Sequence, residues 1–112
     1  MSSHFERATN EIVPAVRAII AKELSGKYKM KEEEIARMLN VAQAAVSKYI
    51  SDKYSDRIKE IEASIDKSLI SGYIEKMAQG RAEYANVCMC TICRVLNQFN
   101  CRFSAAEKAA QV

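Results

Sequence analysis

Residues 31–53 read KEEEIARMLNVAQAAVSKYISDK, and this stretch decides how the chain folds. Three apolar residues at helical spacing predict a first short helix: Ile35, Met38 and Leu39. Asn40 follows, and asparagine is one of the few residues besides glycine that accept the left-handed backbone of a sharp helix exit. A second helix, about Ala42 to Ser51, is predicted to bury residues one turn apart, Val46 and Ile50. The stretch therefore predicts two short helices joined by a tight turn.

The opposite face of the second predicted helix is small, polar and only lightly charged. It carries Gln43, Ala44, Ser47, Lys48 and Ser51. A solvated helix face is more often rich in Glu and Lys, whereas small side chains allow a helix to enter the major groove of DNA. There Gln can bond adenine, Ala can contact a thymine methyl, and Ser and Lys can reach phosphates or bases. The alternative interpretation is an ordinary helical hairpin packed in a core.

The segment EIARMLNVAQAAVSKYI, residues 34–50, resembles a DNA-binding helix-turn-helix of the repressor type in both helices and the turn. It departs from that pattern at Asn40, where such motifs usually have glycine, but asparagine still meets the requirement for a positive φ. The resemblance implies that the second helix reads double-stranded DNA as part of a homodimer. Base edges are expected to meet Gln43, Ala44 and Ser47. Further DNA contacts, mainly to phosphate, are expected from Lys29, Lys31, Lys48, Ser51 and Lys53.

The composition indicates an all-α chain, and no motif predicts a catalytic centre. Among 112 residues there are only 3 Gly and 1 Pro, and 49% of the residues are apolar. The formal charge of +3 permits nucleic-acid binding without demanding it. No carboxylate pair, base or nucleophile constellation emerges, so an enzyme is not expected. No targeting signal or membrane span is visible either, and a cytoplasmic location without membrane association is predicted.

The flanking residues predict further helices. A helix from Asn10 or Val13 to Leu24 is predicted to carry one apolar stripe and to end in a left-handed cap at Gly26. A later helix, capped by Ser55 or Asp56, is predicted to run until Ser71-Gly72 breaks it, and Gly80 is expected to end the next one. The later helix carries the stripe Ile58, Ile61, Ile65 and Leu69.

This second stripe has two possible uses. It either closes the core beneath the helical hairpin or pairs with its copy in a second chain, and a homodimer is favoured because dimers read two half-sites. The expected organisation is a DNA-binding domain over residues 11–54, followed by dimerisation helices and a four-cysteine segment over residues 55–112. A partly basic surface flanks the hairpin, so DNA binding is expected to be sensitive to salt.

All four cysteines lie close together in sequence, within VCMCTICRVLNQFNCRF, residues 87–103. They are Cys88, Cys90, Cys93 and Cys101, with the spacing C-x-C-x₂-C-x₇-C. A reducing compartment makes metal binding or redox sensing the expected use of such thiols rather than structural disulfides. Four cysteines without a local histidine suit an iron–sulfur cluster, [4Fe–4S] or [2Fe–2S], or a Cys₄ zinc site. The bunching of three ligands favours iron–sulfur, and a thiol or disulfide switch without metal stays open.

The combination of a helix-turn-helix with a C-terminal cysteine segment resembles a family of small archaeal predicted transcriptional regulators. EIVPAVRAIIAKEL, EIARMLNVAQAAVSKYI and CTICRVLNQFNC carry this resemblance. It implies DNA binding together with a cysteine-ligated sensor or structural centre. Many members place a histidine after the last cysteine, where this chain has Phe103 and Ser104 and, in addition, the upstream Cys88. The expected function is thus an iron–sulfur-dependent redox or iron sensor that regulates transcription. The alternatives are a regulator with structural zinc or a small electron-transfer protein.

Overall fold

Six α-helices lie within residues 8–97, the part of the chain that the computed structural model describes. They are α1 (Val13–Gly26), α2 (Glu32–Leu39), α3 (Gln43–Ile50), α4 (Asp56–Ser64), α5 (Ser71–Ala78) and α6 (Tyr84–Asn97). A π-helical turn, Ala8–Ile12, leads into α1, and a 3₁₀ turn, Lys67–Leu69, lies between α4 and α5. These residues contain no strand, so the predicted all-α class is confirmed. None of the described helices has the length and apolar character that crossing a membrane requires.

Helix α1 lies at the centre of the core because apolar side chains cover most of its circumference. The predicted stripe is fully buried: Ile12, Val16, Ile19, Ile20 and Leu24. Buried alanines between these residues allow neighbours to approach closely, and α1 contacts each of the other five helices. One hydrophobic core therefore takes in residues from both predicted domains, 11–54 and 55–112.

The end of α1 differs from its prediction. Gly26 is the last residue of the helix, and the positive φ, 58°, falls on Lys29 instead. The N–H of Met30 donates to the carbonyl of Leu24 at 3.0 Å and closes the helix end. For an N–H to fold back onto the end of a helix in this way, the residue directly before it adopts a left-handed backbone, and here that residue is Lys29. The prediction of a left-handed cap at Gly26 is therefore wrong, because the helix continues two residues past Leu24 and the left-handed residue falls at Lys29.

Two other predicted helix boundaries are confirmed. Ser55 caps α4, since its Oγ accepts a hydrogen bond from the N–H of Ile58 at 3.3 Å. Gly80 follows α5 with a φ of 98°, a conformation that favours glycine, and its N–H donates to the carbonyl of Met77 at 2.9 Å. Serine caps and left-handed glycines are local signals, which explains why they can be read from sequence.

The break after α4 comes earlier than predicted. Helix α4 ends at Ser64, and Ile65 adopts an extended backbone. The side chain of Asp66 then accepts the N–H of Ser68 at 3.0 Å and caps the 3₁₀ turn. Because this cap starts a new turn, Ser71-Gly72 begins α5 rather than breaking a longer helix, and the predicted break at that dipeptide is wrong.

The apolar stripe predicted for α4 packs inside a single chain. Ile61 and Ile65 are 4% and 6% exposed and belong to the core, whereas Leu69 is 41% exposed. Side chains buried against their own chain are not available to a second copy. Of the two predicted uses of this stripe, closing the core is the one that these burials support, and a homodimer would need a different surface.

Candidate nucleic-acid interface

Helices α2 and α3 form a hairpin whose turn depends on Asn40. Its φ and ψ are 56° and 48°, so the predicted left-handed backbone is confirmed. The N–H of Val41 donates to the carbonyl of Ala36 at 3.0 Å, and the Val41 side chain packs, partly buried, against the core. Val46 is fully buried on the inner side of α3. The turn and this inner contact together fix the direction of α3.

Replacing Asn40 by valine is expected to lower the free energy of unfolding by about 1 to 2 kcal/mol, because a β-branched residue is disfavoured at positive φ. Replacement by glycine, which accepts this backbone, is expected to change it by less than about 0.5 kcal/mol. Urea denaturation of both variants measures these two changes in the free energy of unfolding. Equal destabilisation by valine and glycine would show that the Asn40 side chain, rather than its backbone, determines the turn.

The outer face of α3 is open to solvent. Gln43, Ala44, Lys48 and Ser51 are exposed, as are Lys29, Lys31 and Lys53 on the segments that flank the hairpin. Ala42, which precedes α3, makes no side-chain capping bond. The N–H groups of the first turn of α3 are thus not satisfied by a capping side chain, as happens where a helix end receives an anion. Seven of the eight residues predicted to contact DNA therefore lie on exposed positions.

Ser47 is the exception among these eight residues. Its side chain is half-buried, and its hydroxyl donates a hydrogen bond to the carboxylate of Glu32 at the start of α2. This bond joins the two helices of the hairpin and directs the Ser47 hydrogen away from solvent. Ser47 thus braces the hairpin, and a contact between its hydroxyl proton and a base would first require the bond to Glu32 to break.

A polar network that was not predicted holds the far end of α3. Lys22, on α1, donates to Tyr54 Oη at 2.7 Å, to Glu62 Oε2 at 2.9 Å and to the carboxylate of Asp52. Tyr54 in turn donates to Glu62, which is only 8% exposed. The network joins α1 and α4 to the residues that follow α3. It therefore fixes the end of α3 opposite to the Asn40 turn.

The electrostatics of this network favour a charged lysine and a neutral tyrosine. Burial acts to lower the pKa of Lys22, but the hydrogen bonds to Asp52, Tyr54 and Glu62 outweigh it and place that pKa above its usual value. Burial, together with the bond to Glu62, raises the pKa of Tyr54 to about 12. The hydrogen bond from Lys22 lowers the pKa of Asp52. The network therefore keeps its arrangement of charges throughout the neutral pH range.

The only sequence signals for this network were two charges at unusual places. Lys22 interrupts the apolar run of α1, and Glu62 directly follows the buried Ile61. Either charge alone is common on an amphipathic helix. The pairing of Lys22 with Glu62 depends on how α1 and α4 cross, which no local sequence pattern predicts.

Three of the four cysteines lie in one continuous helix, α6. Cys88, Cys90 and Cys93 are 0%, 2% and 0% exposed. At 3.6 residues per turn, Cys90 and Cys93 lie about 200° and about 140° around the helix axis from Cys88. Cys90 and Cys93 are thus only about 60° apart, as i,i+3 neighbours are, whereas Cys88 leaves the opposite side of the helix, so the three thiols do not converge on one centre. Within residues 8–97, no three His, Cys, Asp or Glu side chains come together in a way that could hold a metal ion.

The helical arrangement of α6 therefore does not fit a cluster that shares all three of its thiols. The fourth predicted ligand, Cys101, lies outside the described residues. The iron–sulfur centre and the alternative zinc site on Cys88, Cys90, Cys93 and Cys101 both stay predictions. An anaerobic visible spectrum and a metal analysis of the same sample would test them.

Cys88 is expected to resist alkylation in the folded protein. Burial raises the pKa of its thiol to about 12, so only about one thiol in ten thousand is a reactive thiolate at pH 8. Treatment with iodoacetamide, followed by mass mapping, should label Cys88 in the unfolded chain and leave it unlabelled in the native one. Labelling of native Cys88 at the rate of the unfolded chain would contradict its burial.

Comparison with known proteins adds no relative. No family model, no curated protein and no solved structure matches this chain.

Proposed function

We propose that this chain is a DNA-binding transcriptional regulator whose recognition helix is α3. The observation that carries the proposal is the division of α3 into two sides. Val46 anchors the inner side in the core, while Gln43 and Ala44 stand exposed at the first turn of the outer side. In a helix-turn-helix, the first residues of the recognition helix contact base edges. A glutamine there can bond adenine and an alanine can contact a thymine methyl.

The charges around the hairpin favour contact with phosphate. Four exposed lysines lie on or beside the hairpin: Lys48 on α3, and Lys29, Lys31 and Lys53 on the segments that flank the hairpin. Two nearby acids are engaged within the fold, since Asp52 pairs with Lys22 and Glu32 accepts the hydroxyl of Ser47. Engaged carboxylates oppose phosphate less than unpaired ones. Neutralising about four phosphates would make the affinity fall with salt at a logarithmic slope of about −3.6.

We propose that the regulator acts as a homodimer, because one short recognition helix reads only a half-site. Val95, on α6, is 53% exposed, more than Leu69 at 41%, and offers an apolar contact for a second copy. The core position of Ile61 and Ile65 leaves α6 as the better candidate for the dimer surface. The sensor function, which would need a metal cluster, stays a separate prediction.

Selection of bound duplexes from a random pool, with the full chain, tests the function. The proposal predicts enrichment of a palindrome whose half-sites lie about 10 base pairs apart. Sedimentation of the complex should give two chains per duplex. Fluorescence anisotropy should then show much tighter binding to the selected duplex than to a shuffled one. Failure to enrich any sequence, with no duplex bound at low salt, would overturn the proposal.

A further inference from the structure

A cavity of about 240 Å³ lies between α1, the turn after α2 and the first turns of α6. Its polar lining comes from Arg17, Asn40 and Asn86, and its apolar lining includes Val13, Leu39 and Met89. The three apolar residues are buried, whereas both asparagines are exposed. The cavity is therefore a recess of mixed lining, with apolar side chains, two exposed amide groups and one cation in its wall.

The Arg17 side chain is the unusual member of this lining. Its Nε is buried and has no hydrogen-bond partner among residues 8–97. None of the ion pairs between described residues involves Arg17. Lys22, on the same helix, has three hydrogen-bond partners. A buried donor without a partner is costly and is uncommon in folded proteins, so its place in a cavity wall indicates a missing acceptor.

We propose that this cavity binds a small organic monocarboxylate that carries a short apolar group. The Arg17 guanidinium would pair with the carboxylate, because its planar donors match two carboxylate oxygens. The recess beside Val13, Leu39 and Met89 would enclose the apolar group. A volume of about 240 Å³ equals that of roughly eight water molecules, which limits the ligand to a small metabolite. Inorganic phosphate suits the site poorly, since a dianion would face a single cation in the lining.

The position of the cavity would allow a bound ligand to influence the hairpin. Asn40 forms the turn between α2 and α3, and Asn86 lies on α6, so a bound ligand would connect the hairpin to α6. Its binding would bias where α3 stands relative to the rest of the fold, in the manner of an effector. This consequence rests on the proposed function, whereas the binding of the carboxylate does not.

The test measures binding to the full chain in the absence of DNA, so its outcome is independent of whether α3 reads DNA. Propanoate, hexanoate and benzoate are titrated by isothermal calorimetry and by ligand-observed NMR, with hexanamide and inorganic phosphate as comparisons. At least one carboxylate should bind at least tenfold more tightly than hexanamide and phosphate. Arg17→Met should weaken that binding at least tenfold, while the matched change Arg37→Met, at an exposed site on α2, should leave it unchanged.

Thermal unfolding without ligand separates a binding role of Arg17 from a structural one. Because its Nε is buried and unpartnered, Arg17→Met should unfold at the same temperature as the original chain or at a higher one. A second variant, Ala82→Leu, fills the cavity while retaining Arg17 and should also abolish carboxylate binding. The proposal is overturned if no carboxylate binds, if hexanamide binds equally well, or if Ala82→Leu retains full affinity.

Discussion

Replacing Ala44 by glutamate is expected to weaken binding of the selected duplex at least about a hundredfold, while the fold stays intact. Ala44 is exposed on the first turn of α3, next to Gln43, so the new carboxylate would face the DNA. Placing like charges together in an interface costs several kcal/mol, and about 2.7 kcal/mol already corresponds to a hundredfold loss. Fluorescence anisotropy at one fixed salt concentration measures the change.

The matched control for this variant is Ala63→Glu, which adds the same charge at an exposed position on α4. It should lower the DNA affinity by less than about threefold, since it changes only the net charge of the chain. Both variants should unfold within about 0.5 kcal/mol of the original chain, as surface substitutions usually do. Equal loss of DNA affinity in the two variants would show that α3 is not part of the DNA interface.

The second large effect is expected on stability, from Lys22→Met. This change leaves the Glu62 carboxylate, which is only 8% exposed, without its positive partner. Breaking a buried ion pair costs about 3–5 kcal/mol, but the Lys22 side chain is 32% exposed and solvent screens part of the charge. The free energy of unfolding should therefore fall by about 2 to 3 kcal/mol. Urea denaturation of this variant beside Lys67→Met, an exposed lysine on the 3₁₀ turn, measures the effect.

The same network predicts how stability depends on pH. The pKa of Lys22 and that of Tyr54 are both raised in the folded chain, the latter to about 12. A group whose pKa is raised by folding contributes stability that is complete below its unfolded pKa, about 10 for tyrosine, and is lost as pH rises towards the folded value. The original chain should lose stability above about pH 10. In Tyr54→Phe and in Lys22→Met, the free energy of unfolding should fall less steeply above about pH 10. An unchanged slope in both variants would show that the network does not cause the alkaline loss of stability.

Much of the hairpin was predictable because its signals are local. The spacing of Val46 and Ile50 defined the inner side of α3, and the conformational tolerance of asparagine defined the turn. Once the inner side was known, the exposure of Gln43 and Ala44 followed from helical geometry. The buried stripe of α1 was predictable for the same reason.

The parts that sequence reasoning missed depend on how distant elements meet. The Lys22 network requires α1, α4 and Tyr54 to meet, and the Ser47–Glu32 bond requires the angle between α2 and α3. The cysteine spacing suggested a shared metal centre, yet a continuous α6 places Cys88 on the opposite side of its axis from Cys90 and Cys93. In the first two cases, packing between helices decided where a polar side chain points.

The most direct test of the account is an NMR titration of the ¹⁵N-labelled chain with its selected duplex. If α3 is the recognition helix, the largest chemical-shift changes should fall on the amides of residues 43, 44 and 48, with smaller ones at Lys29, Lys31 and Lys53. The amides of α5 should stay unchanged. Changes centred on α5 or α6, with α3 unaffected at saturating DNA, would contradict the claim that α3 enters the groove.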